Sequence, residues 1–243
     1  MPELKKSLGW QYLQETKFDR GSLLALDRPN IAPGPLYKTY PDAESVELPK
    51  PALPKADLQD ALASRRSRRR FGQAGLSLEA LSALLWASQG PSGRMGQVTV
   101  RTAPSAGALY PIETYMVIRN VEGLASGVYH WNLRDSVLER LGEGDFGPAL
   151  ARGCIGQSFM GQAAAAFCWS AVFRRNMSKY GHRGLRYILM DAGHVCQNLL
   201  LAAEALGLSA CPVAALLDDE LNGLLGLDGQ EESVIYCAGL GSR

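Results

Sequence analysis

Three short stretches of this 243-residue sequence combine residue types that could do chemistry. The first, SRRSRRRF at 64–71, sets five arginines around a serine, and guanidinium and hydroxyl donors at this spacing suit a phosphate. The second, RTAPSAGALYPIE at 101–113, is rich in small residues whose backbone amides could approach a flat ligand closely. The third places Lys179 beside Tyr180, just before a long apolar pattern. Each stretch alone has an ordinary structural interpretation, as a solvated face, a turn or a helix start, so it is their combination that favours a binding site.

Composition excludes several other classes of protein. The formal net charge of +1 argues against a general nucleic-acid binder, so an RNA-binding role for the arginines ranks far below an enzyme. The longest apolar run, at 163–173, is too short to span a bilayer, and the first residues lack the apolar core of a signal peptide, so we expect a cytoplasmic protein without membrane contact. The five cysteines are widely spaced among apolar residues and predict buried free thiols in a reducing compartment. Neither they nor the three histidines have metal-ligand spacing, and no metal site is predicted; His194, on an apolar helix, is expected to pack in the core.

Proline usage divides the chain in two. Most prolines fall before residue 55, which predicts an extended arm over residues 1–54 with one short helix near Leu8–Phe18. A disordered tail is the alternative, but the aromatic residues of this segment would then be exposed, so we favour an arm docked on the body or on a partner. Residues 55–243 mix helices and strands without a linker and predict one α+β domain.

Local patterns locate the elements of that domain. A first helix is predicted after Pro54, with an apolar stripe of Leu58, Ala61 and Leu62. A second should run from the N-cap Ser77 to Gly90, and the longest helical pattern covers 183–207. Asp218 is expected to cap a further helix that runs through Leu225. Strands are predicted at 115–120, in a hairpin that turns near 132–135, and at 163–173, 209–213 and 233–241.

Read in order, these stretches resemble a known family. SRRSRRRF, LSLEALSALLWASQG, RTAPSAGALYPIETYMV, KYGHRGLRYILMDAGHVCQNLLLAAEALGL, CPVAAL and YCAGLG are similar to the FMN-dependent nitroreductase superfamily, and within it to the SagB/ThcOx-type dehydrogenase branch that includes azoline oxidases. The matching stretches span residues 56–241. The resemblance implies a nitroreductase-like α+β fold whose central mixed, mainly antiparallel sheet is flanked by helices. It also implies an intertwined homodimer with FMN at the subunit interface.

The resemblance implies an FMN site built from several segments. Arg65, Arg66 and Ser67 would lie near the phosphate and ribityl chain, and Arg69 at the N1/C2 edge, where a fixed cation stabilises the charge of the reduced flavin. Arg68 and Arg70 are expected to face solvent or a partner. Ala108 stands where the commoner family form has Asn, so that polar contact is missing here. The other implied contacts are Pro104, Ser105 and Ala106 from the second subunit, Pro212, Val213, Ala214 and Ala215 near flavin N5, and Arg243 at the phosphate.

The resemblance also implies that Lys179 and Tyr180 form the catalytic pair of the azoline-oxidising members. Converting an azoline to an azole removes a C–H proton and a hydride, so a base and a hydride acceptor are both needed. Lys179, removed from water beside cations, would be the base, Tyr180 would position the ring or relay the proton, and FMN would accept the hydride at N5. A purely structural role at the start of the long helix is the alternative. The substrate would be a small or peptide-borne heterocycle; the alternative function is an NAD(P)H-dependent nitroreductase or quinone reductase.

Overall fold

An antiparallel sheet organises the chain in the computed structural model, which describes residues 3–20, 30–96 and 98–243. Its strand order is β1-β6-β5-β4-β7-β9-β8, and all of its neighbouring strands pair antiparallel. Two further strands, β2 and β3, form a separate hairpin. The strands are β1 (Glu44–Glu47), β2 (Pro91–Met95), β3 (Val98–Arg101), β4 (Ile112–Ile118), β5 (Gly127–Asn132), β6 (Val137–Glu143), β7 (Ala165–Val172), β8 (Ser209–Val213) and β9 (Glu232–Gly241).

Helices cover both faces of the sheet. They are α1 (Leu8–Glu15), α2 (Leu58–Ser64), α3 (Leu78–Gln89), α4 (Gly147–Gly153), α5 (Ser158–Gln162), α6 (Phe173–Tyr180), α7 (Gly184–Ala205) and α8 (Asp218–Leu225). Because side chains alternate along a strand, Met116 and Ile118 of β4 join the apolar core with α3 and α7, whereas Tyr115 and Val117 join a second core with α4, α5 and α8. The predicted α+β class, with a mainly antiparallel sheet between helices, is therefore confirmed.

The strongest local patterns are found where they were predicted. Ser77 caps α3 by accepting from the Ala80 amide, and Gly90 ends that helix. Helix α7 buries the predicted face that includes Ile188, Val195 and Leu199. Helix α8 runs to Leu225 as predicted, but its N-cap is Leu217, and Asp218 is the first helical residue without a side-chain cap bond. All five cysteines are buried and free, as expected.

Three residues that were predicted on apolar faces are exposed instead. His194 lies on the outer side of α7, because the apolar face of this helix uses Val195 and Leu199 and His194 points away from it. In α2 only Ala61 is buried, and Leu58 and Leu62 face outward at 65% and 54% exposure. A short helix with one buried residue contributes little to this chain's own core.

The described parts of residues 1–54 contact the rest of the chain; Met1, Pro2 and residues 21–29 lie outside the described residues. Helix α1 contacts the start of α7, and Tyr40 hydrogen-bonds to Tyr115 through their hydroxyls at 3.0 Å. Strand β1, which was not predicted, adds to the sheet edge beside β6. No helix in the described ranges has the length and apolarity needed to cross a membrane.

Candidate active site

The arginine-rich stretch lies along the outer side of β8. Ser67 forms an isolated parallel bridge with Ala210, and the Arg68 amide donates to the Ala210 carbonyl at 2.9 Å. Farther along, the Gly72 amide donates to the Ser242 carbonyl at 2.9 Å. These backbone bonds place Arg65, Arg66, Ser67 and Arg69 beside the strand that carries Pro212 and Val213. Ala214 and Ala215 follow β8 directly and are exposed.

Only part of this positive charge is neutralised. Glu204 of α7 accepts from Arg68 at 2.5 Å and from Arg243 at 2.7 Å. Burial raises the pKa of Glu204, but these two arginines outweigh burial and hold the pKa at about 2. Arg68 therefore points to its own chain, contrary to the expectation that it faces solvent or a partner, and Arg243 is already paired. Among the described residues no carboxylate forms an ion pair with the remaining cations of the stretch, Arg65, Arg66, Arg69 and Arg70.

The small-residue stretch forms a tightly held loop between β3 and β4. Gly107, Ala108 and Tyr110 have positive φ angles of 66°, 54° and 44°, a conformation that costs energy for residues other than glycine. Asp191 of α7 holds the loop by accepting from the Ser105 hydroxyl at 2.6 Å and from the Ala106 amide at 3.3 Å. Burial raises the pKa of Asp191, and the bonds from Ser105 and Ala106 oppose this. The backbone of the loop is thus held by hydrogen bonds from within the chain.

The Lys179–Tyr180 pair reaches this loop. A Cβ atom added at Gly107 would lie 2.5 Å from the Tyr180 hydroxyl and 2.8 Å from the Lys179 Nζ. Both polar groups therefore converge on one glycine, at the C-terminal end of α6. Lys179 is exposed, contrary to the expectation that it is removed from water. Tyr180 is half-buried, and the Lys179 Nζ lies 5.2 Å from the centre of the Tyr180 ring. The structure brings together two of the three stretches singled out in the sequence.

A buried network of charged residues contacts the loop through the Tyr110 carbonyl. The Arg175 guanidinium, on α6, donates to the Tyr110 carbonyl at 3.0 Å and pairs with Glu113 at 2.5 Å. Glu113 also contacts His130, whose other ring nitrogen lies 2.8 Å from Glu139. Burial raises the pKa of Glu113, but His130, Arg175 and Arg101 together lower it to about 2. Sequence reasoning missed this network, because only the fold shows that these charged residues of β4, β5, β6 and α6 meet.

The two groups of candidate residues lie apart within the chain. Asp191 marks the group around Gly107, and Glu204 marks the arginine group; they are 13 residues apart on α7, which corresponds to about 20 Å along the helix axis. No hydrogen bond, ion pair or ring contact among the described residues joins the Lys179–Tyr180 pair to the arginine stretch. One chain therefore carries two separate groups of candidate residues.

Comparison with known proteins agrees with this fold and these motifs. Residues 62–242 match the family model described as the nitroreductase family. A protein of Methanocaldococcus jannaschii assigned to the nitroreductases is 35% identical over 182 residues, which are 75% of this chain and 90% of that protein. The chain belongs to the nitroreductase family and is an oxidoreductase of that family.

Other relatives include a peptide-processing protein. The microcin B17-processing protein McbC of Escherichia coli is 31% identical over 134 residues, so the match spans 53% of this chain and only 49% of McbC. The similarity to McbC thus supports the resemblance to a branch that includes peptide-modifying members. Because only half of McbC is matched, its activity is not assigned to this chain.

Solved structures share the fold. A nitroreductase structure from Anabaena variabilis superposes with a TM-score of 0.73 at 30% identity. The match covers 84% of this chain but only 42% of the Anabaena chain. A chain of the Escherichia coli microcin synthetase McbBCD complex, with truncated pro-MccB17 bound, superposes with a TM-score of 0.62 at 23% identity, covering 96% of this chain and 86% of its own. A nitroreductase from Desulfovibrio desulfuricans in complex with FMN superposes with a TM-score of 0.54 at 19% identity, and the match covers 78% of this chain and 88% of that protein. At these low identities, the McbBCD chain and the Desulfovibrio protein show the fold alone.

Proposed function

We propose that this chain is an FMN-dependent dehydrogenase that oxidises an azoline ring, carried on a peptide or a small molecule, to the azole. The observation that carries the proposal is the convergence of the Lys179 amine and the Tyr180 hydroxyl on Gly107. This places a base and a hydrogen-bonding group next to the rigid loop that the family resemblance assigns to the flavin.

The arginine stretch fits an anionic cofactor. Arg65, Arg66 and Arg69 stand beside β8 with no carboxylate partner in the described part of the chain, whereas Glu204 neutralises Arg68 and Arg243. Guanidiniums without a carboxylate partner suit the phosphate and the electron-rich edge of FMN. Arg66 donates to the Ala63 and Arg65 carbonyls and would share these contacts with the cofactor. Arg243 would reach the phosphate only by sharing its contact with Glu204. The exposed Ala214 and Ala215 leave the end of β8 open to a planar ring.

The reaction divides between the cofactor and the chain. When bound, FMN supplies the acceptor for the hydride that leaves the azoline ring. Lys179 takes the ring proton at its Nζ, and Tyr180 holds the heterocycle through its hydroxyl. The loop keeps both groups in place because Asp191 fixes Ser105 and Ala106. The ring loses one hydride and one proton, which balances its conversion to the azole.

The separation of these two groups of residues supports a homodimer as part of the proposal. Since they lie about 20 Å apart along α7, a second copy is needed to bring Pro104, Ser105 and Ala106 of one chain over the arginine stretch of the other. An apolar groove of about 340 Å³, lined in part by Leu58, Trp86 and Leu201, offers a surface for that copy. The outward-facing Leu58 is explained if this groove is covered in the assembly.

The direct test is anaerobic reduction of the bound flavin. The FMN-loaded protein is mixed with a thiazoline-containing peptide, and we expect loss of the oxidised flavin absorbance together with a product lighter by two hydrogens. The similarity to the Methanocaldococcus jannaschii relative favours a second candidate, an NAD(P)H-dependent nitro- or quinone reductase. Rapid bleaching by NADH or NADPH, with none by the peptide, would replace the first function by the second.

The cofactor site has its own test. Arg65→Met, Arg66→Met and Arg69→Met are each expected to weaken FMN binding about 10- to 100-fold, because a charged hydrogen bond contributes about 1.5–3 kcal/mol. Fluorescence titration of the apoprotein with FMN measures the change. Arg70→Met is the matched control, since Arg70 is exposed and is expected to face away from the cofactor. Equal losses in all four variants would show a general charge effect and contradict the assigned contacts.

Gly107→Ala tests the convergence itself. The added methyl would collide with the Tyr180 hydroxyl and the Lys179 amine, so we expect turnover to fall about 100-fold through misplacement of the pair. Gly123→Ala is the matched control, because Gly123 has a similar φ of 77° but nothing within 4 Å of its Cβ position. The strain of a left-handed alanine is common to both variants, so equal losses of turnover would remove the steric explanation.

A further inference from the structure

We propose that the N-terminal segment 3–20 is a positioning element of the active site, acting on Tyr180 through Arg183 and Tyr187. The proposal deepens the function above and rests on it for the role of Tyr180. The sequence predicted only a docked arm. The structure shows that residues 12–18 contact the turn between α6 and α7.

Tyr187 is the residue that contacts Tyr180 of the proposed catalytic pair. Its ring meets the ring of Tyr180 edge-on, with centroids 4.9 Å apart and planes at 74°. Edge-to-face geometry is a preferred arrangement of aromatic rings, and it restricts the rotation of both side chains. Because Tyr180 ends α6 and Tyr187 lies in the first turns of α7, this contact fixes the phenol across the turn between the two helices.

Arg183 connects that ring to the N-terminal segment. Its Nε donates to the Tyr187 hydroxyl at 2.8 Å, and its Nη1 donates to the Thr16 carbonyl at 2.5 Å. The guanidinium also lies 4.3 Å from the centre of the Phe18 ring. One planar group thus bonds to the positioning ring and to the arm simultaneously, which a flexible ammonium does less well.

Further contacts hold the arm at the same place. Arg186 donates from Nε to the Thr16 hydroxyl at 2.9 Å and from Nη2 to the Leu13 carbonyl at 2.5 Å. The Tyr12 hydroxyl donates to the His182 carbonyl at 3.1 Å. Two arginines therefore satisfy carbonyls at the C-terminal end of α1, where a helix has no internal donors. All of these contacts fall on residues 182–187, immediately after the catalytic pair.

The character of this contact argues for positioning over bulk stability. Helix α1 has eight residues and none of them is buried, so its docking contributes little to an apolar core. The turn that it contacts begins at Gly181, whose φ of 56° is a conformation that glycine adopts readily. Contacts from the arm hold Arg183 and the Tyr187 ring, and through that ring the direction of Tyr180.

The test follows Tyr180 directly, without substrate. 3-Fluorotyrosine is introduced at position 180 of the full FMN-loaded chain, and its fluorine NMR signal is recorded. We expect one narrow signal in the parent, and a shifted or broadened signal in Phe18→Leu, Arg183→Lys and Tyr187→Leu. Tyr187→Phe keeps the ring against Tyr180 but removes the hydroxyl that Arg183 binds, so its signal should lie between those of the parent and Tyr187→Leu. Arg152→Met, at an exposed arginine on α4, is the control for loss of a surface charge.

Turnover of the thiazoline peptide supplies the second readout. The same three variants should lose about 10- to 100-fold in kcat with KM and FMN content unchanged, and Tyr187→Phe should be least affected. An unchanged fluorine signal in Phe18→Leu, Arg183→Lys and Tyr187→Leu overturns the positioning role whatever the substrate. A perturbed signal in a protein that never oxidises azolines supports the positioning role and removes the proposed function instead. Phe18 is partly exposed, so its variant is not expected to unfold the chain.

Discussion

Lys179→Met is expected to lower azoline oxidation by about 10²- to 10⁴-fold while the protein keeps its FMN, because a general base is removed and no cofactor contact is lost. The Lys179 amine converges with the Tyr180 hydroxyl on Gly107, and no described carboxylate pairs with it. Single-turnover reduction of the flavin by a thiazoline peptide measures the chemical step, and the flavin-to-protein ratio confirms that the cofactor is retained.

Lys55→Met is the matched control, since Lys55 is exposed. It should behave as the parent protein. Tyr180→Phe keeps the ring but removes the hydroxyl and is expected to give a smaller loss than Lys179→Met, because positioning without proton transfer contributes less. Parental turnover in Lys179→Met would refute the assignment and leave Lys179 as the structural start of the α6–α7 turn.

Glu113→Gln is expected to destabilise the fold by about 3–5 kcal/mol, the cost of leaving a buried partner charge without its counter-ion. Arg175 is 2% exposed and Arg101 is 8% exposed, and Glu113 is the carboxylate that compensates them. Burial, with the charge of Arg175 added, lowers the pKa of Arg101 to about 10, so the guanidinium stays charged at neutral pH. Thermal unfolding should show a midpoint lower by about 6–20 °C.

The same carboxylate makes stability depend on pH in a defined window. Its pKa falls from 4.5 to about 2 on folding, so the folded state favours the ionised form. The resulting stabilisation is fully present above pH 4.5 and is lost as the pH falls towards 2. Denaturant unfolding between these values should show a shallower pH dependence in Glu113→Gln than in the parent. Glu122→Gln, at an exposed position, should keep the parental slope; equal slopes in Glu113→Gln and the parent would contradict the pairing.

Elements with a long or strongly punctuated pattern could be predicted from the sequence. Helix α3 is bounded by Ser77 and Gly90, and α7 carries an apolar face over many turns, so local chemistry defines both. Strand β1 and the β2–β3 hairpin were missed because each strand has only four or five residues, too few for a clear alternation, and β1 and β2 are mostly exposed. Their structure comes from pairing with strands distant in sequence or from a turn, which no local pattern shows.

The resemblance named candidate site residues but not their arrangement. The resemblance gave Lys179, Tyr180 and the PSAGALYP loop, but only the fold shows that the pair converges on Gly107. Arg68 and Arg70 looked equivalent in the sequence, yet Arg68 is paired with Glu204, which lies 136 positions away. Such contacts depend on tertiary distance. The individual cofactor contacts, the homodimer and the catalytic roles stay predictions.

The bridge between Ser67 and Ala210 also matters for how the molecule behaves in concentrated solution. Strand β8 is the last strand of the sheet, and an uncovered last strand offers its amides and carbonyls to any extended chain that meets it. Here the Arg68 amide already occupies the Ala210 carbonyl, and neighbouring guanidiniums repel an identical copy approaching along the same line. We therefore expect the arginine-rich stretch 64–71, proposed to hold the cofactor, to hinder edge-to-edge aggregation at β8 as well.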